Sequence, residues 1–527
     1  MSDVQHGNPS SSCRTIFSKY TYHLGVVGCI LVVGSFSCIM WLQRNRRKRE
    51  VVLFTRYPVL GVTKTRLISE LGPVGASVAQ TYMTEHILST LKDLSVAFHN
   101  LDITVQYYGG TREDILYWLQ RRTNGMNINF KPQKGEGLGV KLKNAVKESF
   151  SKGHDYVIVI GGDIPGISKE ILLEAVTHLN NNADMVLGKA EDGGYYLVGF
   201  SKSATRYIDD IFSDISWGTS EVFRQQVLQA QQLGAKLGIL TTVLQDVDNP
   251  EDLCVFERYT GVSVQNLKHP LWSIVIPTVN EGESIERTLL TLVQRCSSID
   301  KLAEIIISDG GSTDNTVEKI KGFIATSPVP VKLIHSNPGR GIQLRAGAEQ
   351  AVGEYLLFLH ADTIVPKNFD KLAEQCLLKP GNVAGAFLFD LDLFHQDKCP
   401  EMGQDSSWFK FKMKWIVSVT RWRGRTRELP FGDQALFMRR KTYDQVGGFQ
   451  PLYLMEDYIL VKELHMVGHV VIADGDPVIT SSRRWRSRGL IKTTGLNQLI
   501  ILAYTLGVHP NTLARWYYGN RLKKTRT

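Results

Sequence analysis

Short apolar runs, each closed by Gly, Asp, Glu or His residues, alternate along this chain with longer amphipathic stretches, and the series restarts near Trp272. In the first half, residues 51–55, 103–108, 156–160 and 185–187 read as buried strands, with helical patterns over 75–94 and 140–151 between them. In the second half the strand-like runs are 272–276, 304–308, 331–335 and 354–359. Such runs predict two α/β domains, each with a mostly parallel sheet. A length of 527 residues agrees, because one hydrophobic core rarely serves so long a chain. The expected boundaries are 50–259 for the first domain, 260–270 for a linker and 271–490 for the second, with an amphipathic basic segment over 491–527.

The composition is that of a globular protein, 43% apolar and 21% charged, which excludes wholesale disorder and a collagen-like rod. Seven Cys are scattered without a CxxC pair, so neither a zinc site nor a disulfide framework is expected, and a reducing compartment suits them. The net charge of +9 is carried by short basic patches at 1–49, 483–492 and 515–526, while the remainder is acidic overall. That distribution argues against a nucleic-acid-binding body. Membrane surfaces and phosphate-bearing ligands are the expected partners.

Residues 24–42 hold no charged side chain, and as a helix would span about 28 Å, close to a bilayer's hydrocarbon core. Trp41 at one end and Tyr20 and Tyr22 at the other suit interfacial anchoring. After a 23-residue tail, this stretch is expected to be a single transmembrane helix rather than a cleaved signal or a buried helix, followed by a basic juxtamembrane segment over 43–49. The excess of Lys and Arg on its C-terminal side predicts that the catalytic domains face the cytosol, a lumenal arrangement being the alternative.

Ligands of open α/β sheets bind beyond the carboxyl ends of the strands. Three polar clusters occupy such positions in the second half: Thr278-Val279-Asn280-Glu281, Asp309-Gly310-Gly311-Ser312-Thr313-Asp314, and His360-Ala361-Asp362-Thr363. His360 and Asp362 flank one residue, so their side chains emerge on the same face. They are candidate ligands for a divalent cation, Mg²⁺ or Mn²⁺, that would offset a diphosphate leaving group. Glu456 and Asp457 precede a helical pattern, where a carboxylate could act as general base. Arg483-Arg484-Trp485-Arg486 offers cations and an aromatic surface, or else a solvated basic loop. Arg340, in a Gly-rich helix start, could assist a diphosphate, though the same residues suit a tight turn into a packed helix. The apolar stretch 496–508, between two basic patches, reads either as an interfacial helix serving a lipid-linked acceptor or as a helix packed on the domain's own sheet.

These segments, in this order and spacing, resemble family 2 glycosyltransferases of the GT-A fold from Leu271 to about Arg488. More narrowly they resemble the transferase 2 branch named for its association with radical-SAM and selenodomain proteins. The resemblance rests on IVIPTVNE, ISDGGSTDNT, LHADT, FGDQALF, MEDYIL and SSRRW. It implies an inverting, metal-assisted transfer of a sugar from a nucleotide diphosphate donor to a lipid-linked or small-molecule acceptor. By position it implies that Thr278, Glu281 and Asp309 contact the nucleoside and that His360 and Asp362 serve the metal and diphosphate. It likewise implies Asp457 as base supported by Glu456, Asp433 and Gln434 beside the acceptor, and Arg484 and Trp485 closing over the site. His360 stands where the wider family usually has Asp. Ser481 stands where processive members carry Gln, which argues against a polymerising synthase.

In the first half a strand runs into a Gly/Pro loop carrying Arg56, Lys64 and Arg66, ingredients for phosphate binding without the GxxxxGK[ST] of a P-loop. Asp163, Glu191, Asp192, Asp246 and Asp248 form acidic clusters at strand ends and turns. This half resembles the companion transferase 1 branch, a GT-A-like, nucleotidyltransferase-like group. The resemblance implies that Lys64 and Arg66 bind phosphate, that Asp163 and Asp248 hold a divalent metal, and that the loop with Glu191 and Asp192 meets the substrate. Two other readings stay open: a second glycosyltransferase domain in this half, or, for the whole protein, a non-catalytic nucleotide-binding scaffold.

Overall fold

The structure, a computed structural model, describes residues 47–98, 100–392, 407–483 and 490–518. The expected transmembrane helix at 24–42 lies outside the described residues, among which no helix is long and apolar enough to cross a membrane. Two sheets organise the chain. The first contains β1 (Arg49–Arg56), β2 (Leu101–Tyr108), β3 (Ile128–Pro132), β4 (Tyr156–Gly161), β5 (Met185–Lys189), β6 (Tyr195–Ser201) and β7 (Leu237–Ile239), in the order β3-β2-β1-β4-β6-β5-β7. The second contains β8 (Trp272–Thr278), β9 (Leu302–Asp309), β10 (Val331–His335), β11 (Tyr355–Phe358), β12 (Thr363–Ile364), β13 (Asn382–Asp392), β14 (Leu436–Arg439) and β15 (His469–Ser481). Its order is β10-β9-β8-β11-β14-β13-β15-β12.

Apart from the two-residue β12, the two sheets have one topology. In each, the third, second, first and fourth strands run parallel, the next is antiparallel to the fourth, and the last pair is parallel. The apolar runs explain why both sheets are sandwiched. Along β1, Val51 and Leu53 enter one core while Val52 enters the other. Along β8 and β9, Ile274, Ile276, Ile305 and Ile307 face one core while Val275 and Ile306 face the opposite one. A side-chain period of two delivers every residue of such a run into a helix-covered face. Each fully buried Val or Ile contributes about 1.5–3 kcal/mol.

Two local features differ from the sequence pattern. The strand begins inside the expected basic segment: Arg49 is buried, paired in register with Leu101 and Tyr156, its guanidinium over the Phe98 ring. The stretch 260–270 contains the helix Val264–Lys268, whose Leu267 joins the apolar cluster of the first domain. The domains meet through buried polar groups. Tyr82 Oη and Asn266 Nδ2 donate to the two oxygens of Glu354, at 3.0 and 3.3 Å. Tyr117 stacks on His469 with ring centroids 3.8 Å apart, and Arg121 pairs with Glu428 at 2.8 Å.

Candidate active site

The carboxyl ends of β8 and β11, the helix start at Arg340 and the helix Glu456–Val467 surround a cavity of about 1010 Å³. Thr278, Glu281, Arg340 and His360 line it, as do Asp362, Asp433, Glu456 and Asp457. Thr278 and Asp457, 179 positions apart in sequence, thus reach one cavity, at which the carboxyl ends of the parallel strands β8 and β11 open on the same side. Gln343, buried beneath, donates its Nε2 to the carbonyls of Thr278 and Ser308 at 2.9 and 2.8 Å and fastens β8 to β9 at the cavity floor.

The loop after β8 is locked to the loop after β9. Asn280, at φ 56°, receives the Thr313 amide on its side chain, and Ser312 Oγ and Thr316 Oγ1 accept the amides of Asn280 and Glu281. Asn tolerates the left-handed region better than other non-glycine residues. This turn aims Glu281 at Arg483, whose guanidinium lies 2.5 Å from Glu281 and 3.4 Å from Asp362. Burial, reinforced by Asp362, raises the Glu281 pKa against the pull of Arg483.

On the far wall, Met455 takes φ 70°, an uncommon conformation for a bulky residue, immediately before Glu456. Gly341 permits the wall to approach: a Cβ there would stand 2.5 Å from the Gln450 carbonyl and 3.0 Å from Glu456 Cβ. Glu456 is buried and paired with Arg340 at 3.5 Å. Burial works against the Arg340 charge, but Glu456 more than restores it and the Arg340 pKa is raised. Asp457 Oδ2 accepts the Gly432 amide at 2.8 Å. A Cβ on Gly432 would lie 3.2 Å from His360 Nε2 and 3.4 Å from Asp457 Oδ2, so the imidazole and the carboxylate flank the same small residue.

Two of the expected residues do not line the cavity. Asp309 is buried, and its oxygens receive the amides of Gly311 and Ser312 and the hydroxyls of Ser312 and Thr278. Burial raises its pKa, yet these donors hold it below the ordinary value. Gln434 is fully buried and bonded to the backbone of Phe387 and Phe431. Arg484 and Trp485 lie outside the described residues. The helices Leu490–Thr505 and Pro510–Tyr518 pack against Leu454, Met455 and Ile459, and bring Ile500, Ile501, Tyr517 and Tyr518 into the cavity wall. The pattern alone did not assign those four to the site.

In the first domain Lys64, at φ 50°, places Nζ 3.3 Å from Asp163 and 2.5 Å from Asp248, with Arg66 3.9 Å from Asp248. Burial lowers the lysine's pKa, but the two carboxylates raise it overall. Asp248 is pushed up by burial and pulled further down by Lys64, for a net depression. Asp246 is raised to about 7 by burial and by Asp163, Asp192 and Asp248. It belongs to the cluster, although the sequence drew attention chiefly to its neighbour Asp248. Glu191 donates its amide to Leu244 O at 2.9 Å, which holds the Glu191–Asp192 turn beside these acids. Arg56 lies over the Tyr108 ring.

Among the described residues no three His, Cys, Asp or Glu side chains are grouped to hold a metal by themselves. His360 and Asp362 fit a cation that takes its remaining ligands from a diphosphate, since Mg²⁺-type sites often use one or two protein donors. At Asp163 and Asp248 the ammonium of Lys64 already stands between the carboxylates, so those residues alone do not form a metal site.

The sequence model described as glycosyl transferase family 2 matches residues 273–445, the strands and loops that build the cavity. The second domain is a glycosyl transferase family 2 domain. This family 2 glycosyltransferase domain is joined to a nucleotidyltransferase-like one, for residues 92–219 match the family DUF2064, an uncharacterized protein family conserved in bacteria. An uncharacterized glycosyltransferase of Mycoplasma pneumoniae, the MG060 homolog, is 31% identical over 30% of this chain and 48% of its own length. The chain therefore spans about half the length of that relative. The 2-phospho-L-lactate guanylyltransferase of Methanocaldococcus vulcanius is 30% identical over 32% of this chain and 69% of its own. A crystal structure of a nucleotide-diphospho-sugar transferase from Desulfovibrio desulfuricans is 30% identical, with a TM-score of 0.36, over 42% of this chain and 90% of that one.

Proposed function

We propose that the second domain of this glycosyltransferase moves a glycosyl group from a nucleoside diphosphate sugar to an acceptor hydroxyl with inversion at the anomeric carbon. The observation that carries this reading is the convergence of Asp457 with His360, Asp362, Thr278 and Glu281 on one cavity. In the displacement, the acceptor oxygen bonds to the anomeric carbon from the face opposite the diphosphate, and the bond from that carbon to the phosphate oxygen breaks. The acceptor proton passes to Asp457, whose carboxylate is oriented by the Gly432 amide. Thr278 and Glu281 border the nucleoside, Arg340 and Arg483 offset phosphate charge, and Asp433 borders the acceptor. A divalent cation held by His360 and Asp362 would supply charge neutralisation for the leaving diphosphate. The apolar wall of Ile500, Ile501 and Tyr517 favours an acceptor with a lipid body over a small polar one.

The first domain is proposed to bind a nucleoside triphosphate and activate a phosphorylated metabolite, with Lys64 and Arg66 on the phosphates. The common strand order favours one alternative specifically, a second glycosyltransferase domain. Incubating the full chain with nucleoside triphosphates and sugar phosphates separates the two: pyrophosphate release supports nucleotidyl transfer, and its absence rejects it. Residues 24–42 are proposed to anchor the chain with both domains in the cytosol, which protease protection in sealed vesicles tests. For the central claim, full chain is mixed with a panel of nucleotide sugars and Mn²⁺ and nucleoside diphosphate release is followed. Turnover that disappears in Asp457→Asn while donor binding persists supports the reading. Unchanged turnover rejects it.

A further inference from the structure

The helix Ser407–Arg427 has seven Lys and Arg and no acidic residue. One face is committed to the protein: Met413 and Ile416 pack with Phe389 and Leu391, and Gly424 lies against Ile472. At about 100° per residue, Phe411, Trp415, Val419 and Trp422 fall within an arc of about 80° on the opposite face. They are 60, 52, 41 and 55% exposed. Single apolar residues on a surface are ordinary, but three aromatic rings and a valine in one line along a helix are not. Exposed Lys414, Arg425 and Arg427 border the line; Arg427 lies over the Trp422 ring, and Arg425 meets the solvent-exposed Asp474. The helix is too basic to enter a bilayer lengthwise, and no helix among the described residues is a candidate span.

We propose that the Phe411–Trp422 stripe docks this face of the chain on an anionic lipid bilayer, with the aromatic rings at headgroup depth and the basic residues against lipid phosphates. Charge complementarity selects this occupant: aromatic rings bordered by Lys and Arg, without acids on the helix, match the interfacial region of an anionic membrane. The inference stands on this helix alone and does not depend on the reaction assigned to the cavity. Its placement would nonetheless matter to that reaction. Arg423, between the stripe and the protein, lies 3.6 Å over the ring of Phe431, which lines the cavity.

The test uses full-length chain and vesicles of phosphatidylcholine with phosphatidylglycerol, plain or brominated in the acyl chains. Brominated lipid is expected to quench a tryptophan component of the wild-type protein that is lost in the double variant W415F/W422F. Quenching contributed by Trp41 is common to both proteins. A second variant, K414E/R425E, is expected to weaken the same component, as are pure phosphatidylcholine vesicles and high salt. Unchanged melting temperatures show that both variants fold. Equal quenching of wild type and W415F/W422F overturns the proposal. So does a dimer in sedimentation that W415F/W422F dissociates while quenching stays the same, because a second copy would then cover the stripe.

Discussion

Lys64 Nζ stands 2.5 Å from Asp248 Oδ1. The first domain thus sets a cation from the loop after its first strand against Asp163, beyond its fourth strand, and Asp248, beyond its last. The second domain, with the same strand order, exchanges the signs. There the anions Glu281 and Asp362 come from the first and fourth strand ends and the cation, Arg483, follows the last strand. One scaffold therefore carries two oppositely charged arrangements, which is a physical ground for expecting two different chemistries.

Lys64→Met removes the ammonium that bridges Asp163 and Asp248 and leaves their charges, with Asp246, to repel each other. Both carboxylates are more than a third exposed, so the expected loss of stability is about 1–3 kcal/mol, less than a fully buried pair would give. The raised Lys64 pKa makes this contribution disappear as pH climbs beyond the ordinary 10.5, and the lowered Asp248 pKa makes it disappear as pH falls below 3.8. Denaturant melts at neutral pH, with pyrophosphate release measured in parallel, check both the stability loss and the loss of triphosphate binding.

Asp457→Asn keeps the shape of the side chain and removes its ability to take a proton. Turnover is expected to fall by about 10²–10⁴. Donor-induced thermal stabilisation is expected to persist, since binding to the folded state still raises the melting temperature by mass action. Loss of donor binding together with turnover would instead make Asp457 a binding group.

Chelation is expected to abolish turnover and Mn²⁺ to restore it. In His360→Ala the Mn²⁺ concentration for half-maximal rate is expected to rise by at least about 10–100-fold, the loss that removing even an outer partner of a metal ligand gives. Titrating Mn²⁺ against nucleoside diphosphate release reads this directly; identical Mn²⁺ curves for the two proteins would remove His360 from the cation site.

Strands were legible because runs such as Glu304–Ser308 alternate between two cores, and the ends of such runs pointed to His360 and Asp362. The helix Ile68–Ala97 runs beyond the helical pattern of 75–94 at both ends; Gly72 absorbs a kink at φ 67° just before Pro73 and the helix continues around it. Asp309 and Gln434 illustrate another limit. A strand-end acid or amide can turn to a ligand or to nearby backbone, and here Gly311, Ser312 and Phe387 claim them. The C-terminal wall was illegible for a third reason. Leu499, Leu502 and Leu506 are exposed while Ile500 is buried, so apolar residues on both sides of that helix gave no direction to its packing.

Tyr82→Phe tests the contact between domains. Glu354 is buried and its pKa is raised by that burial, against the pull of Arg439 and the donors Tyr82 and Asn266. Deleting one hydroxyl leaves a buried carboxylate oxygen short of a partner, at an expected cost of about 1–3 kcal/mol. Calorimetry is expected to show a lower, less cooperative transition. A melt superimposable on that of the wild type would mean that Tyr82 adds nothing to the docking of the domains.

Acid is expected to weaken the same interface through Glu428. Burial raises its pKa, but the His469 hydrogen bond and the charge of Arg121 bring it down to about 2 from an ordinary 4.5. As pH falls below 4.5 the unfolded chain takes up a proton that folded Glu428 refuses until about pH 2. The contribution is therefore complete above pH 4.5 and drains away between 4.5 and 2. At about 1.4 kcal/mol per pKa unit it is on the order of 3 kcal/mol. Glu428→Gln removes the titrating group, so its stability is expected to change less across that window than that of the wild type. Parallel stability curves for the two proteins from pH 5 to pH 3 would show that the Arg121–Glu428–His469 cluster does not tie the domains together.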